Sequence, residues 1–218
     1  MNEKNENLAK IFKCFDKLLE KRLRDSSADD ISEDTIRYLF FYACAENGIK
    51  IDYITLEKGN VIQVKNEKHP KLDAFIKEND KTSSLAIEFK YHRTENNTKP
   101  QRTWAAKLLY DFYRLQTVQN AGKRIAIYVF DESMMNIYNN MKNDWGNFLY
   151  ELIRNPVEKD FSIDIKSIKS KITNSEVKKR IKSIENCAIK TLYAKDYGKL
   201  ENKHYFRIFE ILQNNYTS

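Results

Sequence analysis

His69-Pro-Lys-Leu-Asp-Ala-Phe-Ile76 and, after a polar break, Leu85-Ala-Ile-Glu-Phe-Lys-Tyr-His-Arg93 carry the reading of this chain. The second run alternates with period two, as a strand with one buried face does. Leu85, Ile87 and Phe89 fall on one face; Ala86, Glu88, Lys90 and His92 fall on the other. A carboxylate and an ammonium side by side on a half-buried strand call for a task or for solvent. Asp73 lies in the earlier run. The segment between the runs, Lys77-Glu-Asn-Asp-Lys-Thr-Ser-Ser84, is rich in turn formers, so the two are expected to pair as a hairpin. Such pairing sets Asp73 roughly 5 Å across from the Glu88–Lys90 strand, with Glu88 and Lys90 about 7 Å apart along it. Two carboxylates converging on one point make a hard-oxygen site suited to Mg2+. A lysine beside that site can hold a water or offset charge developing on a phosphorus centre.

This layout resembles the PD-(D/E)xK nuclease superfamily, with its restriction-endonuclease-like fold. Glu88-Phe89-Lys90 matches the second half of the family motif and Asp73 matches its first aspartate. The departure is Pro70, which precedes Asp73 by three positions where the family has one. The resemblance implies an α/β fold: a mixed sheet, antiparallel meander plus a parallel strand, flanked by helices. It implies Asp73, Glu88 and Lys90 as catalytic residues, and Asp73, Glu88 and the carbonyl of Phe89 as metal ligands. A helix before the hairpin often adds a carboxylate in this family; Ile31–Phe41 looks like that helix, with Glu33 as first choice and Glu46 in reserve. The implied cofactor is Mg2+, with Mn2+ able to substitute. The implied activity is hydrolysis of DNA phosphodiester bonds by an endonuclease of restriction type or a related defence or repair kind. The rival reading is a nuclease-like fold kept as a DNA- or protein-binding module without catalysis. A third, plainer reading makes Glu88 and Lys90 part of a solvated, salt-bridged outer face.

Composition bounds these readings. With 218 residues, 41% hydrophobic, the chain has material for one domain with a real core, and five Gly and three Pro leave little for linkers. The net charge of +7 favours a polyanionic partner such as DNA. Three dispersed cysteines, Cys14, Cys44 and Cys187, form no CxxC pair and suit a reducing compartment. No apolar signal core opens the chain and no run is long enough to span a bilayer, so a cytoplasmic protein with no membrane partner is expected. Phosphate-binding GxxxxGK[ST], GxGxxG, GxSxG and HExxH patterns are absent.

Outward from the hairpin, 8–24 reads as an amphipathic helix and a second helix is capped by Ser32 and ended by Gly48. Ile49–Leu56 is the expected first strand, followed by Val61–Val64. After the Lys90 strand, a polar loop carries Arg93, Lys99 and Arg102, the expected DNA contacts. Thr103–Gln119 reads as a helix whose Asp111 and Arg114 have the spacing of a surface ion pair. Lys123–Phe130 reads as a buried strand, parallel to its neighbour, and Asp131–Tyr150 as one helix. His92 is expected at an exposed strand end. The core with its N-terminal helix spans 1–154, and 155–218 is an α+β extension of the same domain with a basic helix at 176–183. One site cuts one strand, so cutting both in one encounter calls for a homodimer. Apolar runs such as His204–Leu212 could form that contact or cover the core sheet.

Overall fold

The computed structural model describes residues 3–25, 30–59, 62, 70–93, 102–143, 145–154, 160–172, 175, 177–178, 186–198 and 203–212. Its strands are β1 (Ile54–Gly59), β2 (Lys71–Ile76), β3 (Leu85–His92), β4 (Lys123–Asp131), β5 (Asp160–Ile163), β6 (Cys187–Tyr197) and β7 (His204–Leu212). Its helices are α1 (Glu3–Asp25), α2 (Glu33–Glu46), α3 (Arg102–Gln116), α4 (Glu132–Asn140), α5 (Asn147–Arg154) and α6 (Ile165–Lys171).

β4 is apolar along nearly its whole length because both of its faces are covered. Ile125, Ile127 and Val129 join a core beneath α1 and α2. Ala126, Tyr128 and Phe130 join a second core beneath α3, α4 and α5. The result is a three-layer α/β arrangement around a mixed seven-stranded sheet of order β1-β2-β3-β4-β7-β6-β5. β1, β2 and β3 are antiparallel neighbours. β3 and β4, joined through the α3 crossover, are parallel over their full length. All pairs from β4 to β5 are antiparallel.

Local chemistry explains several boundaries. Ser32 caps α2 in a reciprocal pair with Thr35, and the helix ends at Glu46 ahead of Gly48, whose φ of 82° suits a residue without a Cβ. Asn79 Oδ1 accepts from the amides of Lys81 and Thr82, which folds the β2–β3 connection back on itself. On the far side of the sheet, Asp16 of α1 accepts from the hydroxyls of Tyr193 and Tyr197 at 2.8 and 2.7 Å, tying the first helix to β6.

Some expectations need correction. Ile49–Leu56 is not a continuous strand: a single 3-10 turn, Ile51–Tyr53, precedes β1. Of Val61–Val64 only Ile62 is described, and it is buried. Asp131–Tyr150 is two helices, not one. Asp131 caps α4, accepting from the Met134 amide, and the chain turns at 141–143 and at 145–146 before α5. A Cβ on Gly146 would stand 2.9 Å from Met141 Cβ and closer still to its Cε, so a side chain there would force Met141 to shift. α6 was not foreseen, and most of the basic run 176–183 lies outside the described residues. β7 is interior to the sheet, between β4 and β6, with its apolar residues spent on the chain's own core rather than offered to a second copy. Among the described residues no helix is long and apolar enough to cross a membrane.

Candidate active site

The β2–β3 pairing stops early. Ala74 faces Ile87, the last paired position, and continuing that register places Asp73 opposite Glu88. Beyond this point β3 runs on beside β4 alone, leaving amides on its β2 side without strand partners. Two carboxylates take them over. Asp73 Oδ2 accepts from the Phe89 amide at 2.8 Å, and Glu33 Oε2 accepts from the Tyr91 amide at 3.2 Å. The N–H and C=O of a strand residue leave on the same side, so the Phe89 carbonyl is directed toward this edge as well.

Around the edge the charged side chains close into a ring. Arg37 of α2 reaches Asp73 Oδ1 at 3.3 Å and Glu33 Oε1 at 4.0 Å. Lys90 bridges Glu33 Oε2 and Asp111 Oδ2, each at 3.5 Å. Arg114 Nη1 lies 3.7 Å from Asp111 Oδ1 and 3.3 Å from Glu88 Oε1, and its Nη2 donates to the Lys71 carbonyl. Read in order, Asp73, Arg37, Glu33, Lys90, Asp111, Arg114 and Glu88 alternate in sign. The alternation fails at one junction, where Glu88 returns to Asp73 within hydrogen-bonding reach.

That junction is electrostatically strained. Burial, and then the Asp73 carboxylate, push the Glu88 carboxyl well above its ordinary range, against the pull of Arg114. Glu88 is only 4% exposed, which rules out the solvated-face reading of this strand. Its Oε1 is buried and accepts no hydrogen bond, as is Asp111 Oδ2. Burial likewise pushes Asp111 up to about 6, although Lys90 and Arg114 pull the other way. For Lys90 the balance is reversed: burial alone would lower it, but Asp111 and Glu33, then Asp73 and Glu88, hold its pKa above the ordinary lysine value. Lys90 is therefore a fixed cation at neutral pH and not a proton acceptor.

These residues fit a divalent cation in a particular way. Among the described residues, no group of three or more His, Cys, Asp or Glu side chains is gathered to hold a metal by itself. Mg2+ seldom needs such a cage, since it keeps waters and binds through one or two carboxylates plus substrate phosphate. Asp73 and Glu88 could serve as that pair, Glu88 Oε1 being buried beside Arg114 and without a hydrogen bond.

Of the other residues expected from the sequence, Glu33 sits beside Lys90, while Glu46 is exposed at the far end of α2 against Tyr42. Arg93 follows β3 directly, Arg102 opens α3 and donates to the Asn140 carbonyl, and Lys99 lies outside the described residues. His92 is not exposed. It is 7% accessible, and its Nδ1 shares a hydrogen bond of 2.9 Å with the Tyr128 hydroxyl. Asp111 and Arg114, read from spacing as a surface pair, are instead members of the ring, Asp111 buried and Arg114 half-buried. Their signal was present: Asp111 falls among Leu108, Phe112 and Leu115, inside the apolar stripe of α3. No family model matches the sequence, and comparisons with curated proteins and with solved structures likewise find no match.

Proposed function

We propose that this chain is a metal-dependent endonuclease of restriction-endonuclease-like fold that hydrolyses phosphodiester bonds in DNA. The observation that carries the reading is the break in the charge ring, where the buried Glu88 carboxylate meets the half-buried Asp73 carboxylate with no cation between them and a lysine stands alongside. Asp73 and Glu88 would hold Mg2+ or Mn2+ there, with the Phe89 carbonyl directed at the same edge and Glu33 behind Lys90. A cation so held supplies Lewis-acid stabilisation of charge on the phosphate oxygens. Water adds to phosphorus, the bond to one ester oxygen breaks, and the water's proton ends on the departing oxygen. Lys90, kept protonated by its carboxylate neighbours, positions the water and offsets the charge gathered on the phosphoryl group. The net charge of +7 and the basic residues Arg93, Lys99 and Arg102 beyond β3 support a polyanionic substrate.

A second reading, a nuclease-like module that binds DNA or protein without cutting, draws on Arg37 and Arg114. These already neutralise part of the acidic charge, so the ring is also a workable structural network. One assay separates the two. Supercoiled plasmid is incubated with the protein and Mg2+ or Mn2+, beside EDTA and Asp73→Ala controls. Nicking or linearisation that disappears in both controls is expected. An intact plasmid at all metal and protein concentrations, or cleavage undiminished in Asp73→Ala, overturns the nuclease reading.

A further inference from the structure

A cavity of about 370 Å³ opens immediately past Lys90. Its walls include Glu33, Tyr91, His92, Arg93, Trp104 and Lys107. We infer that this cavity receives one unpaired nucleotide of the DNA strand, its base stacked against Trp104 and its phosphate met by Lys107 and Arg93. The inference deepens the nuclease reading and takes its substrate class from it.

Position comes first. Glu33 belongs both to the cavity wall and to the charge ring, where it lies 3.5 Å from Lys90 Nζ. His92 follows Lys90 by two residues on the same face of β3, about 7 Å along the strand. A strand of DNA whose phosphate lay at Asp73, Glu88 and Lys90 would bring the adjoining nucleotide to this opening. The volume lies within the range of pockets that hold small organic ligands.

The chemistry of the walls suits a base. Trp104 and His92 present two rings 5.2 Å apart and tilted by 35°. The imidazole is fixed from behind, since Tyr128 bonds it and is itself bonded to the Tyr138 hydroxyl at 2.9 Å. Burial, then Lys90 and Lys107, depress its pKa to about 3, so the wall stays uncharged across the physiological range. An uncharged, prefixed aromatic wall favours stacking of a flat neutral ring, which any of the bases provides. Lys107 is exposed at the rim and Arg93 half-buried beside it, the arrangement expected for phosphate contacts. A base inside a duplex enters only after unpairing, at a cost that a single strand or a flap does not carry. The cavity therefore selects for unpaired DNA.

The test is a binding experiment in EDTA, which does not depend on cleavage. Labelled single-stranded 20-mer and blunt 20-base-pair duplex are titrated with wild type, Trp104→Ala, Trp104→Phe and Lys107→Glu, with circular dichroism as the check on folding. Wild type is expected to prefer the single strand. Trp104→Ala should weaken single-strand binding roughly tenfold while leaving duplex binding within a factor of about two, since stacking on one aromatic ring is usually worth that much. Trp104→Phe should keep most of the affinity, and Lys107→Glu should weaken both. Thymidine monophosphate should quench tryptophan fluorescence in wild type but not in Trp104→Phe, an assay that holds even if Trp104→Ala does not fold. Equal losses for both DNA forms in Trp104→Ala, or no quenching by the nucleotide, overturn the inference. A protein that binds single strands through Trp104 yet, with Mg2+ or Mn2+, cuts neither plasmid nor single-stranded DNA retires only the nuclease reading. One that cuts plasmid while Trp104→Phe and wild type respond alike to the nucleotide retires only this one.

Discussion

Arg114 Nη1 stands 3.3 Å from Glu88 Oε1, and no aligned hydrogen bond joins them. The contact lowers the cost of burying the Glu88 carboxylate without removing it, which is why its pKa remains above the ordinary range. The folded chain thus holds the Glu88 proton more tightly than the unfolded chain does. Stability is then greatest below the ordinary carboxylate pKa and declines as pH rises through and above it. Glu88→Gln removes the titrating group. In metal-free buffer its melting temperature should exceed that of wild type at pH 8, with the gap closing toward pH 5. Mg2+ or Mn2+ should raise the wild-type melting temperature, more so at higher pH because the ligands must be deprotonated, and should leave Glu88→Gln unmoved. A metal response that survives in Glu88→Gln would remove Glu88 from the cation site.

Asp111 gives a second titration with a defined window. Its folded pKa of about 6 exceeds the unfolded value, so it favours the folded state below about pH 4 and loses that contribution as pH rises to about 6. The loss is of the order of 3 kcal/mol for this buried group. Asp111→Asn should flatten that stretch of the stability profile in urea melts. Because it also releases one side of the Lys90 clamp, cleavage should fall about 10- to 100-fold, as when a supporting ligand partner is lost. Unchanged activity would confine Asp111 to packing.

DNA affinity should fall steeply with salt, with a log–log slope near −0.9 for each phosphate neutralised. Reversing the charge of Arg93 and Arg102 together should flatten the slope by about two such increments. Affinity that ignores salt would remove the electrostatic argument for DNA.

Cleavage of both strands in one encounter calls for two copies, and light scattering should then report about twice the 25.9 kDa chain mass. β7 is closed to such a contact by β4 and β6. The described outer strand β1, with Leu56 exposed, is the better place to introduce a charge when testing it. A monomer that only nicks, at every concentration, rules the dimer out.

The legible part of this molecule is what alternation and capping encode. Leu85, Ile87 and Phe89 against Glu88, Lys90 and His92, the Ser32 cap, and the unbroken β4 run all appear in the structure where spacing puts them. What was hidden depends on distance across the chain. Arg37 has an ordinary helical partner in Glu33, and nothing local says that it also reaches Asp73, 36 residues on. Asp111 and Arg114 have the spacing of a surface pair, and only the approach of α3 to β3 brings them against Lys90 and Glu88. His92 does end β3, but its burial was hidden because its partner, Tyr128, lies on another strand. The α4–α5 break was missed because the packing of Gly146 against Met141 is a close approach that no local pattern spells out.

The place of β7 sets a timetable for the molecule. His204–Leu212 inserts between β4 and β6 and completes the middle of the sheet from residues far along the chain. During synthesis β4 is made some seventy residues earlier, apolar on both faces and with one edge open, a state prone to pair with foreign strands. Contacts of such long sequence separation also slow folding, since the loop between them must be closed before they contribute. Closure of the core under Lys90 therefore waits on a late strand, and the ribosome-bound chain passes through a vulnerable interval that a chaperone is suited to cover.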